Sequence, residues 1–120
     1  MDQFVSVHAR AGHALLLDCR SLEHEHLPLD TGEVRVVVCN TMVDHELAAS
    51  AYNERRDSCE RAARLLGRRA ARVRQLRDVT PEMLRRHGDV LDGPTRKRAR
   101  HVVTENARTL SAAEALKRLT

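Results

Sequence analysis

Apolar residues change their spacing partway along this 120-residue chain. Before about position 43 they gather in short unbroken runs. From Asp44 onward they recur every third or fourth residue. The run His13–Arg20 (HALLLDCR) lies between turn signals and reads as a buried strand. Val34–Cys39 (VRVVVC) is β-branched and reads as a second buried strand. Pro28–Gly32 (PLDTG) carries turn residues and connects them. So short a connection predicts antiparallel neighbours. Phe4–Arg10 fits a short helix or a strand, ended by Gly12.

The later spacing predicts helices. Leu47, Ala48, Ala51, Cys59, Ala62, Ala63 and Leu66 follow a helical period that Gly67 breaks, with Thr41 and Asp44 as candidate N-caps. Thr80-Pro81-Glu82 places a cap, a proline and an acid where a helix begins, and that helix stops at Gly88. After the break at Asp92–Thr95, Arg96–Leu119 reads as one long helix. Ser111-x-x-Glu114 is a capping box that could split it. The expected fold class is α+β, with strand-rich residues 1–43 followed by helical residues 44–120.

Composition sharpens this picture. With 42% apolar and 32% charged residues the chain is of globular type. It has no Trp, one Phe and one Tyr, so its core must be built from Val, Leu and Ala. No apolar run is long enough to span a bilayer, so no membrane partner is expected. Charge is divided unevenly. Residues 1–60 hold 5 basic and 11 acidic side chains, net −6, and residues 61–120 hold 16 and 6, net +10. Cys19, Cys39 and Cys59 include no close pair, which fits a reducing, cytoplasmic setting.

Candidate chemistry is sparse. Glu23-His24-Glu25-His26 could offer two metal ligands, but no spacing supplies a third, so it reads as a solvated connector and no metal site is expected. Arg61, Arg64, Arg68 and Arg72 would share one face of a helix, a pattern open to phosphate-backbone binding. No aromatic accompanies them to stack bases, and a solvated face is the better reading. Cys19 and Cys39 read as small core residues of the two strands.

Longer words carry more information. Met1-Asp2-Gln3-Phe4, then Gly12-His13-Ala14-Leu15-Leu16-Leu17-Asp18-Cys19-Arg20-Ser21, resembles the galactokinases of the GHMP small-molecule kinase superfamily. Val36–Leu47 (VVVCNTMVDHEL), Ser50–Arg56 (SAYNERR) and Arg98–Asn106 (RARHVVTEN) continue the likeness in order. It covers nearly the whole chain.

The resemblance implies a segment of a two-lobed kinase that phosphorylates the C1 hydroxyl of galactose, with ATP and Mg²⁺ as cofactors. It implies Asp2 as general base or electrostatic partner of that hydroxyl, and Tyr52 as a sugar contact. The family's N-terminal sugar motif and its two glycine-rich loops have no counterpart here, so no residue is assigned to the cofactor. The chain reads as the middle of a galactokinase, inactive alone, whose missing lobes or self-association could complete it. A galactose-sensing descendant and an arginine-rich nucleic-acid module are the alternatives. Galactose and N-acetylgalactosamine are not distinguished.

Overall fold

The computed structural model describes residues 1–29, 32, 35–42 and 48–118. Its order is helix α1 (Asp2–His8), strands β1 (His13–Leu17) and β2 (His24–Pro28), helix α2 (Ala48–Gly67), a 3-10 turn (Leu76–Asp78), helix α3 (Pro81–His87), a second 3-10 turn (Gly88–Val90) and helix α4 (Gly93–Arg118). The class is α+β, an antiparallel strand pair followed by helices. The chain divides into two compact units. The first comprises Met1–Thr41 and Leu110–Thr120, the second Met42–Thr109.

In the first unit the second strand is not where the apolar pattern places it. β1 pairs with β2, with Leu17 opposite His24 and His13 opposite Pro28. The segment read as a solvated connector is therefore the strand, and β1 is half-buried rather than buried. Residues 35–40 form no regular element, and Val36, Val37 and Val38 are exposed. The reason is local. Asp18 N donates to the Glu23 carbonyl at 2.9 Å, closing a four-residue loop. Asp18 Oδ1 accepts from the Arg20 and Ser21 amides at 2.7 and 3.3 Å, and Leu22 takes the left-handed conformation at φ 62°. An Asx-type turn of this kind brings His24 beside Leu17 with little loop to close, whereas Val34–Cys39 lies across a much longer one. Cys19 is consequently a loop residue and Cys39 lies in the irregular segment. Both are exposed, not core.

The register gives the hairpin two different faces. His24 and His26 share one face with Leu15 and Leu17, while Glu25 and Leu27 share the other with Ala14 and Leu16. α1 covers the histidine face: Phe4 meets His24 edge-on at 5.4 Å. Lys117, on the last turn of α4, pairs with Glu25 at 2.9 Å. Leu27 and Ala113 are the buried apolar residues described in this unit.

The second unit has a continuous core. Ala62, Ala63 and Leu66 of α2, Leu84 of α3, and Ala99 and Val103 of α4 pack with Val73, Leu76, Val79 and Leu91 from the connections. α2 ends at Gly67, as the spacing predicts. A Cβ there would come within 2.7 Å of the Val73 carbonyl oxygen, so the returning chain leaves no room for a side chain. This end also removes Arg68 and Arg72 from the helix, which leaves only Arg61 and Arg64 of the expected basic face on it. Asp44 lies outside the described residues, and the first described residue of α2 is Ala48.

α3 begins as expected, with the Met83 amide donating to Thr80 Oγ1 at 3.1 Å. α4 is a single helix that the capping box does not split, and it starts three residues earlier than expected. Asp92 caps it by accepting the Thr95 amide at 2.8 Å. Hydrogen bonds from Thr95, with Arg61 and Arg98 nearby, hold the Asp92 carboxyl below its usual range.

Candidate functional site

Asp2 is the first residue of α1, in the first unit, and is exposed. Its place is set by what holds α1. Phe4 is half-buried and stacks on His8 one turn later, with ring centroids 4.3 Å apart. His8 lies 4.6 Å from His24 in turn. His26 donates from Nε2 to the His8 carbonyl at 2.6 Å. A carbonyl only accepts, so His26 carries a proton on that nitrogen. Three imidazoles and one phenyl ring thus pin α1 to the hairpin, and the Glu-His-Glu-His word acts as the anchor of the Asp2 helix.

Tyr52 lies on α2 in the second unit and is 65% exposed. Its helix is tied to α4 by a polar clamp. Arg98 Nη1 donates to Ser58 Oγ at 2.6 Å and to the Glu54 carbonyl at 3.0 Å, and Nη2 faces Glu54 Oε2 at 3.7 Å. Ser58 is buried and itself donates to the Glu54 carbonyl at 2.8 Å. Beside the clamp, burial pushes the Cys59 thiol up while Arg98 lowers it. One turn after Tyr52, Arg56 pairs with Glu60 at 3.1 Å, which raises the guanidinium further above its already high value.

The two site residues foreseen in the sequence therefore sit on exposed turns of two helices, each in its own unit. The clamp residues Glu54, Ser58 and Arg98 were not foreseen as a group. Their signal was the pairing of two of the resembling words, since Glu54 belongs to Ser50–Arg56 and Arg98 opens Arg98–Asn106. Among the described residues, no group of three or more His, Cys, Asp or Glu could hold a metal ion. The five glycines stand singly along the chain, so no glycine-rich phosphate cradle is present in it. The described residues do not fit Mg²⁺, nor a phosphate held by a glycine-rich loop.

The chain is related to enzymes that phosphorylate a sugar. Its relatives are galactokinases, and the chain corresponds to a segment of them. It is 48% identical over 116 residues to the galactokinase of Chloroflexus aggregans, covering 97% of this chain and 30% of that protein. It is 49% identical, again over 116 residues, to the galactokinases of Chloroflexus aurantiacus and Roseiflexus sp., covering 30% and 29% of them. The chain thus spans about a third of the length of the curated relatives it matches. No family model matches it.

Proposed function

We propose that this chain is a central segment of a galactokinase of the two-lobed GHMP kind, with residues 1–43 joining the end of the N-terminal lobe to the start of the C-terminal lobe and residues 44–120 in the C-terminal lobe. In the whole enzyme the γ-phosphoryl group of ATP passes to the C1 hydroxyl of galactose. The carrying observation is the identity of 48% over 97% of the chain with a protein named galactokinase. Phosphoryl transfer relies on positioning and charge stabilisation, with little covalent help from the protein. In this reading the Asp2 carboxylate takes the proton of the C1 hydroxyl as its oxygen bonds to phosphorus. Tyr52, exposed on α2, offers the sugar an apolar ring with a polar tip. The α1 anchor and the Arg98 clamp are positioning elements that touch no substrate.

The test uses a chimera in which this chain replaces the matching segment of the Chloroflexus aggregans galactokinase. Asp2→Ala is expected to lower kcat by about 10²-fold or more with little change in KM. Tyr52→Phe is expected to raise KM for galactose about tenfold, the loss of one hydrogen bond. The isolated chain is expected to show no galactose-dependent ADP release. Turnover by the isolated chain, or a chimera indifferent to Asp2→Ala, would sink the reading.

A further inference from the structure

A groove between α3 and α4 has a charge pattern that neither the fold nor the sugar-kinase reading uses. Its apolar side is Pro81 and Leu84, and its volume is about 490 Å³, the scale of a small-molecule pocket. Four cations line the rest of its wall, Arg85 on α3 and Arg96, Lys97 and Arg100 on α4, together with Gly93 and Thr104. No carboxylate lines it. Arg85 is already paired with Glu82 at 2.6 Å. Among the described residues the other three have no acidic partner.

Arg96 ends the first turn of α4 and Lys97 follows it, behind the Asp92 cap. Arg96 and Arg100 are like charges at i,i+4, which repel. The Arg96 side chain is held over a small residue. A Cβ at Gly88 would stand 3.4 Å from Arg96 Nε. A Cβ at Gly93, by contrast, would meet nothing within 4 Å, so the groove is open on that side. Thr104, one turn beyond Arg100, also lines it, but its hydroxyl donates to the Arg100 carbonyl at 2.8 Å.

We propose that this groove binds a small oligophosphate anion. Three uncompensated cations in one concavity call for a ligand with several adjacent negative charges. Guanidinium groups suit phosphate oxygens through paired N–H donors. No aromatic residue follows Tyr52 in the chain, so base stacking is not available and the phosphates themselves are what the groove reads. The site uses side-chain cations where phosphate loops use backbone amides, and it stands apart from the roles of Asp2 and Tyr52.

The experiment titrates the chain with inorganic tripolyphosphate, without divalent cations, by calorimetry and by amide shift changes. Saturable binding is expected, with shifts at Arg96, Lys97, Arg100 and Thr104. The pair Arg96→Gln with Arg100→Gln should weaken it by at least about tenfold, the loss of two charge-assisted contacts. The pair Arg68→Gln with Arg69→Gln removes the same charge elsewhere and should change it less than about twofold. Lys97→Gln alone, a milder change to the helix, should weaken it severalfold. Adenosine triphosphate binding as tightly as tripolyphosphate marks a ligand read by phosphates alone. Tighter binding of the nucleotide marks a phosphate tail with a nucleoside attached, and both outcomes uphold the groove. Equal weakening by the two pairs, no saturable binding at millimolar anion, or tighter binding of a uridine 20-mer with the same response to both pairs would overturn it.

Discussion

The two units solve the same problem, covering apolar surface without aromatic bulk, in different ways. The second unit draws residues from three helices and their connections into one core, where Leu66 and Val103 are each 2% exposed. The first unit has a two-stranded hairpin with a helix on its histidine face, and Leu27 and Ala113 are its described buried apolar residues. A lone hairpin is marginal in water, and a pair of strands needs a packed face to persist. The imidazoles of His8, His24 and His26 supply part of that face here. The second unit is therefore expected to set the chain's stability, and the first to open before it.

The largest test of this comparison is Leu66→Ala. It should cost about 2–5 kcal/mol and strip amide-exchange protection from α2, α3 and the first turns of α4. Leu27→Ala should instead abolish protection of the hairpin and leave that of α2 and α3 unchanged. Equal loss across both units from Leu27→Ala would show that they do not differ in this way.

A smaller effect is expected from Gly67→Ala. The new methyl group would press on the Val73 carbonyl, and denaturant unfolding should show a loss of about 1–3 kcal/mol. An unchanged midpoint would mean that the chain after α2 moves aside freely, and the second unit would then be less tightly specified than its core suggests.

The smallest effect concerns Asp92. Its carboxyl is held below the usual range in the folded chain, so it contributes stability above the unfolded carboxylate value of about 3.8. That contribution is lost as pH falls through the depressed folded value. Asp92→Asn should flatten the dependence of unfolding below about pH 4 and leave the midpoint at pH 7 slightly lower. A variant as acid-sensitive as the parent would place that dependence elsewhere.

Much of the second unit was legible because its signals are local. Thr80 and Pro81 start α3 wherever the rest of the chain goes, and Gly67 ends α2 because the backbone itself must pass close by. The first unit departs from its apolar pattern at the second strand, in the burial of β1 and at Cys19 and Cys39. The β-branched run Val34–Cys39 has the composition of a strand, but composition says nothing about which neighbour is near enough to pair. The hairpin was set by Asp18, whose carboxylate folds the loop over Arg20 and Ser21. That loop is the Asp18-Cys19-Arg20-Ser21 word of the galactokinase likeness.

The sequence by itself determined the relationship to galactokinases, the two residues proposed to meet the sugar, the end of α2 and the start of α3. Each of these rests on residue identity and short-range spacing. Only the tertiary structure decided that His24 and His26 anchor α1, that Arg98 joins α2 to α4 through Ser58 and Glu54, and that three cations line one groove with no acidic partner among the described residues. Those facts depend on which residues distant in sequence come within hydrogen-bond or ring-contact distance. Arg98 and Ser58 stand forty positions apart, a separation no local period records.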